Sequence, residues 1–116
     1  MEFEHNIVNI LNSYKFPINT EKELQECIKT IFNDNGIKFQ KEYRLDEKSI
    51  VDFYINGIAI EIKIKGSAKN IYRQCVRYCE NEKVKTLILV SSKSMGFPEE
   101  INNKSCYFVN LSKNYL

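Results

Sequence analysis

The chain has 116 residues, of which 43% are hydrophobic and 28% are charged. This composition is typical of a globular domain, and we expect residues 1–116 to form a single one. No apolar run reaches the length of a membrane span, and the first residues lack the pattern of a signal peptide, so a cytoplasmic protein with no membrane partner is expected. The net charge of +2 is too small to indicate a nucleic-acid partner by itself.

The chain is predicted to begin with two helices. Apolar residues recur at helical spacing over 3–14, and Pro17 ends that segment. The second helix is expected to follow the N-cap residue Thr20 and to end at Gly36. Helical periodicity places Glu21 closer to the apolar stripe than the other acids of this helix, so its carboxylate should point towards the sheet. A partner of the helix dipole in the first turn is the alternative role for Glu21.

A strand over 37–45 and a β-hairpin over 49–66 are expected next. Asn56-Gly57 is the hairpin turn, because a two-residue type I′ turn requires positive φ at both central positions. Counting outward from this turn sets Asp52 opposite Glu61 on one face, with Lys63 two residues further along that face. The other face is predicted to carry seven apolar side chains: Val51, Phe53, Ile55, Ile58, Ile60, Ile62 and Ile64.

The facing carboxylates of Asp52 and Glu61 suggest a cation site. Two like charges opposite each other across a strand pair repel, and a cation between them relieves the repulsion. Lys63 supplies part of that charge, and carboxylate oxygens are also what Mg²⁺ or Mn²⁺ requires. A solvated strand face whose charges line up without a function is the alternative interpretation.

A third helix is predicted over 67–82, with Gln74 and Tyr78 along one side. Positive charge concentrates on and before this helix, close to the acidic pair, in five side chains: Lys63, Lys65, Lys69, Arg73 and Arg77. Such a concentration suits a polyanion held against a metal ion, whereas a solvated helix face would explain the row as well. A buried parallel strand over 85–92 and a last strand over 106–111 complete the predicted order, α-α-β-β-β-α-β-β.

The spacing of the cysteines and the presence of a single histidine argue against several other kinds of site. Four cysteines lack CxxC spacing, so we expect buried free thiols rather than a zinc site: Cys27, Cys75, Cys79 and Cys106. The single histidine, His5, leaves no candidate for a catalytic triad or a histidine metal motif.

In their order along the chain, these features resemble the PD-(D/E)xK nuclease superfamily. The resemblance runs from Thr20 to Ser92 and rests on Glu21, the Val51-Asp52 pair, Glu61-Ile62-Lys63 and the helix with Gln74 and Tyr78. It implies an α/β fold with a restriction-endonuclease-like αβββαβ core, in which helices flank a mixed central sheet. The Gln74-xxx-Tyr78 spacing resembles the RecB-like branch, and the small size resembles nucleases of phages and mobile elements. Val51 stands where the family pattern has proline.

The resemblance also implies roles for the residues. Asp52, Glu61, the Ile62 carbonyl and Glu21 would bind Mg²⁺ or Mn²⁺, and Lys63 would orient the attacking water. Gln74 would help to position the site. The residues expected at the nucleic acid are Lys65, Lys69, Arg73, Arg77 and Tyr78. The implied activity is metal-dependent hydrolysis of DNA phosphodiester bonds that leaves a 5′-phosphate.

Three alternatives stay open at this point. A junction-resolving endonuclease would act as a homodimer with two-fold symmetry. A catalytically silent nuclease-fold module would bind DNA or a protein partner, and recruitment by a larger DNA-processing complex is compatible with either activity. An enzyme for small phosphates is disfavoured, because the four glycines form no phosphate-binding loop.

Overall fold

The computed structural model describes residues 2–112, which contain three helices and six strands. The helices are α1 (Glu2–Asn12), α2 (Glu21–Asp34) and α3 (Ala68–Cys79). The strands are β1 (Gln40–Arg44), β2 (Ile50–Ile55), β3 (Ile58–Lys63), β4 (Thr86–Ser91), β5 (Glu100–Ile101) and β6 (Lys104–Asn110). The predicted domain ends, residues 1 and 116, lie outside the described range.

All six strands form one mixed sheet in the order β1-β2-β3-β4-β6-β5. The first three strands are antiparallel, whereas β3, β4 and β6 run parallel to one another. Strand β4 lies inside the sheet and all six of its residues are buried, which confirms the parallel strand predicted from its continuous apolar run. The predicted α/β class and mixed central sheet are therefore confirmed.

Local sequence signals determine both ends of α2. Thr20 caps the helix by accepting a hydrogen bond from the Glu23 N–H at 3.1 Å. At the other end Gly36 adopts a positive φ of 68°, and the Ile37 N–H donates to the Phe32 carbonyl at 2.8 Å. Ile37 belongs to this C-terminal cap, and β1 begins only at Gln40. The prediction of a strand from residue 37 is therefore wrong for its first three residues.

The hairpin register follows the Asn56-Gly57 turn as predicted. Both turn residues have positive φ, 46° and 92°. Strands β2 and β3 pair from Ile55 with Ile58 to Phe53 with Ile60.

Two hydrophobic cores cover the two faces of the sheet. Helices α1 and α2 pack on the first face, and α3 packs on the second. Phe53 contributes to the first core but Val51 contributes to the second, although strict alternation would place them on the same face. The prediction for Val51 is therefore wrong.

The neighbouring strand β1 changes faces at the same level. Phe39 packs on the first core, whereas Tyr43 packs on the second. Between them Glu42 has a φ of 53°, a left-handed conformation that interrupts the alternation. Because Lys41 and Tyr43 pair with Phe53 and Val51, the reversal in β1 lies beside Asp52 in β2.

The last hairpin contains a strand that the sequence analysis did not predict. Strand β5 joins β6 through Asn102 and Asn103, which both have positive φ. Helix α3 is shorter than predicted and ends at Cys79, whose carbonyl accepts hydrogen bonds from Asn102 Nδ2 and Lys104 Nζ, both at 3.0 Å. The hairpin thus holds the C-terminal end of α3.

Two predictions made from composition, on the cysteines and on membrane spans, can be compared with the structure of residues 2–112. Cys75, Cys79 and Cys106 are buried free thiols, as expected, and Cys27 is half-buried. None of the helices in this range combines the length and the apolar character needed to cross a bilayer.

Lys104→Met should destabilise the fold by about 2–4 kcal/mol, because hydrogen bonds from a charged group are lost and the carbonyl of the buried Val84 loses the donor Lys104. The Lys104 ammonium also donates to the carbonyls of Asn81 and Val84 at 3.1 and 2.7 Å. Urea denaturation measures the change, with Lys38→Met at an exposed position as the control. Equal midpoints for the two variants would contradict the assigned role.

Candidate active site

The acidic pair lies where β2 separates from β3. Beyond the pair of Phe53 and Ile60, hydrogen bonds from backbone N–H groups to side-chain carboxylates take the place of backbone hydrogen bonds between the two strands. The Ile62 N–H donates to Asp52 Oδ2 at 2.8 Å, and the Asp52 N–H donates to Glu61 Oε1 at 3.3 Å. Asp52 therefore points into the gap between the strands, and the prediction that it stands opposite Glu61 on one face is wrong in this detail. The two residues are nevertheless neighbours.

Glu61 is almost completely buried, with 3% of its surface exposed. Its Oε2 accepts a hydrogen bond from the Tyr78 hydroxyl at 3.0 Å, and Lys63 Nζ lies 3.5 Å from the same oxygen. Glu61 and Lys63 thus share one face, as predicted, and the structure adds that α3 covers this face.

Burial and mutual repulsion favour the protonated forms of the pair. Burial, followed by the charge of Asp52, raises the pKa of Glu61 to about 8, although Lys63 and the Tyr78 hydroxyl act in the opposite direction. Burial also raises the pKa of Asp52, against hydrogen bonds from the Ile62 N–H and from Glu61. Without a cation, the pair therefore retains a proton near neutral pH.

Helix α2 brings two polar side chains to this strand end. Glu21 Oε2 accepts hydrogen bonds from the N–H groups of Ile64 and Lys65 at 2.9 and 3.5 Å, so Glu21 does point towards the sheet. Gln25 donates from Nε2 to Asp52 Oδ1 at 2.9 Å. The sequence analysis missed Gln25, although its position four residues after Glu21 places both side chains on one side of the helix.

Helix α3 holds Glu61 through Gln74 and Tyr78. Gln74 Nε2 donates to the Tyr78 hydroxyl at 2.6 Å, and this hydroxyl lies within hydrogen-bond distance of Glu61 and of the Ile50 carbonyl at 3.2 Å. Burial raises the pKa of Tyr78, so the hydroxyl keeps its proton as a donor. Tyr78 is only 1% exposed, which places it behind Glu61 rather than at the nucleic acid as predicted.

The predicted basic residues form an exposed row on α3 and in the segment just before it. Lys65, Lys69 and Arg73 are exposed, and the 12 residues of α3 include no acid. Arg77 is also exposed, but its Nε donates to Ser49 Oγ at 3.0 Å. Sequence reasoning missed Ser49, a buried hydroxyl that has no local motif to identify it.

Oxygen atoms dominate the ligand set that a cation would meet. Among residues 2–112, no group of three or more His, Cys, Asp or Glu side chains is placed to hold a metal ion. Two carboxylates are present, and the Ile62 carbonyl lies on the edge of β3 that faces Asp52, because the N–H and C=O of one strand residue point to the same side. Mg²⁺ usually uses one or two carboxylates together with water and substrate phosphate, so this ligand set fits it.

Comparisons with known proteins add no further assignment. The chain matches no protein-family model, and comparisons with curated proteins and with solved structures find no match either. The PD-(D/E)xK resemblance therefore stays a prediction that rests on the residues of this chain.

The charge state of Glu61 predicts how stability depends on pH. Its pKa is about 8 in the folded protein against 4.5 for the free side chain, so the folded state binds more protons between these values. The stabilising contribution is complete below pH 4.5 and is lost as pH rises through 8. Glu61→Gln should therefore be more stable than wild type at pH 9 by roughly 2–4 kcal/mol, and the difference should shrink towards pH 5.

Denaturant unfolding in the presence of a chelator measures this effect. Glu82→Gln, at an exposed position, is the matched control. A constant difference between Glu61→Gln and wild type from pH 5 to 9 would show that Glu61 is ionised throughout.

Proposed function

We propose that this protein is a metal-dependent nuclease that hydrolyses phosphodiester bonds of DNA. One observation carries the proposal: Asp52 and Glu61 replace backbone hydrogen bonds between β2 and β3, with Lys63 beside them. Burying two like charges in this way is costly unless a cation joins them, and a binding site is where such a cost is expected.

The carboxylates retain capacity for a cation. Each carboxylate oxygen can accept more than one partner, so the hydrogen bonds to Asp52 and Glu61 leave lone pairs for a divalent ion. Asp52, Glu61 and the Ile62 carbonyl would hold it, and Glu21 lies one step further along the same edge of β3. A bound Mg²⁺ or Mn²⁺ would supply electrostatic stabilisation to the charge that develops on the phosphate oxygens.

Lys63 is the candidate catalytic residue of this chain. Its Nζ lies 3.5 Å from Glu61 Oε2 in a half-buried position. From there the ammonium group can orient an attacking water and offset negative charge in the transition state. Gln74 and Tyr78 are positioning residues, because they act through the carboxylate of Glu61.

The exposed basic row on α3 and in the segment just before it would supply the surface for a polyanion. Lys65, Lys69 and Arg73 can contact phosphates without reading the base sequence, since lysine and arginine contacts to the backbone carry no sequence information. Arg77 has a mixed role, because its guanidinium also contacts Ser49.

The order of elements adds support from resemblance. Helix α2, strands β1 to β3, helix α3 and strand β4 follow the αβββαβ order of the PD-(D/E)xK core. The acids and Lys63 lie on the second and third strands of this order, where the family pattern has its motif.

A catalytically silent DNA-binding module is the second candidate, and a specific observation favours it. All four carboxylate oxygens of Asp52 and Glu61 already accept a hydrogen bond within the protein. A fully satisfied polar network can be structural without any metal ion. The two candidates differ in whether a metal ion binds and whether DNA is cut.

A cleavage assay with Mg²⁺ or Mn²⁺ on single-stranded, double-stranded, flapped and four-way DNA tests the proposal. We expect cleavage by wild type that a chelator stops, and a loss of about 100-fold or more in Asp52→Asn, because the variant loses a charged ligand. Asp34→Asn, at an exposed position and purified in the same way, should keep full activity.

Binding of Mn²⁺, followed by the paramagnetic resonance of the free ion, separates the two candidates. A protein that binds DNA but neither binds Mn²⁺ nor cuts any substrate is the silent module, and the nuclease proposal is then wrong. Equal activity in Asp52→Asn and wild type would remove Asp52 from the site.

The basic row makes a separate prediction about salt. Lys69→Gln combined with Arg73→Gln should lower the slope of log affinity against log salt by about 1–2, because each phosphate contact contributes about 0.9. Binding is measured with Ca²⁺ in place of Mg²⁺, and Lys29→Gln with Lys38→Gln is the control of equal charge. An unchanged slope would place the DNA on another surface.

A further inference from the structure

A cavity of about 300 Å³ opens next to the proposed site, at the carboxyl end of β3. Its lining residues are Asn19, Thr20, Glu21, Ile64 and Lys65. This volume is at the lower end of the range for small-molecule pockets, which suits one nucleobase with part of its sugar.

The lining combines an apolar wall with one adaptable amide. Glu21 and Thr20 are partly engaged, since Glu21 Oε2 accepts from the Ile64 N–H and the Thr20 hydroxyl accepts from the Glu23 N–H. The half-buried Ile64 side chain offers a surface for an aromatic ring, and the exposed Asn19 amide carries donors and an acceptor suited to a base edge. A phosphate alone would leave the apolar wall without a partner.

Two backbone contacts give the distance between the cavity and the acidic pair. The Ile62 N–H contacts Asp52, and the Ile64 N–H contacts Glu21 in the cavity wall. Ile62 is in β3 and Ile64 follows its last residue, so these two N–H groups are about 6.6 Å apart if the chain stays extended. That distance is comparable to the reach of one nucleotide unit, so the cavity lies one unit from the carboxylates.

We propose that this cavity receives the unstacked base of the nucleotide next to the scissile phosphate. The inference rests on the proposed function and specifies its substrate class. A base inside an intact duplex is stacked and paired, so it enters such a cavity only after extrusion. The substrate is therefore DNA with an unpaired nucleotide at this position, as in single strands, flaps and frayed ends.

Binding of oligonucleotides in Ca²⁺ tests the cavity independently of cleavage. The probes are a short thymidine oligonucleotide and the same backbone with one abasic unit placed at each position in turn. For wild type we expect one abasic position to weaken binding by roughly tenfold, the usual contribution of one accommodated base. Asn19→Trp should fill the cavity and abolish that penalty, and Asn19→Ala should change the preference among the four bases.

Control measurements make each outcome decisive. Asn6→Trp, at an exposed position on α1, should retain the wild-type penalty, and thermal melting verifies that each variant is folded. No abasic penalty at any position in wild type, or the same penalty in folded Asn19→Trp, overturns the inference. Cleavage of intact duplex and single strands at equal rates also overturns it while leaving the proposed nuclease standing. Failure to cut any DNA removes the nuclease instead, and the abasic series still decides whether the cavity binds a base.

Discussion

The structure depends on a buried carboxylate, Glu61, and a half-buried one, Asp52, which take the place of backbone hydrogen bonds between β2 and β3. Asp52 accepts from the Ile62 N–H, and Glu61 accepts from the Asp52 N–H. The strands can separate here without leaving these two N–H groups unpaired, which would be costly in a buried position. Elements on both faces then stabilise the arrangement, because Gln25 of α2 contacts Asp52 and Tyr78 of α3 contacts Glu61. Hydrogen bonds from helices on both faces of the sheet therefore offset the free-energy cost of burying charge at this pair.

In this arrangement, the features that would favour binding of a cation are expected to lower the stability of the fold. Burial, followed by the charge of Asp52, raises the pKa of Glu61, and the same concentration of negative charge would attract a cation. Replacement of either acid by its amide relieves the repulsion but removes the ligand. A polar pair that lowers stability at alkaline pH is easier to explain by a binding role than by a structural one. The same conclusion holds whether the bound cation serves hydrolysis or only DNA binding.

Local signals made much of the fold predictable. The Asn56-Gly57 turn predicted the hairpin register, and helical periodicity predicted that the Glu21 side chain points towards the sheet. The reversal of faces in β1 and β2 was not predictable, because Glu42 has no intrinsic preference for the positive φ that it adopts. That reversal turned Asp52 into the strand gap, so the residues of the pair were predicted but their relative orientation was not. Tyr78 was assigned to the wrong surface because spacing on a helix cannot show how deeply a side chain is buried.

The contact between the last hairpin and α3 also determines when the site can form during synthesis. The C-terminal end of α3, next to Tyr78, is held by Asn102 and Lys104, which emerge from the ribosome long after Asp52 and Glu61. Until β6 joins the sheet beside β4, the C-terminal end of the helix that orients Glu61 lacks the contacts of Asn102 and Lys104. We therefore expect a growing chain to hold its acidic pair in an incompletely supported geometry. Docking of β6 would complete this support, so the activity proposed for the site would begin only after β6 has been made.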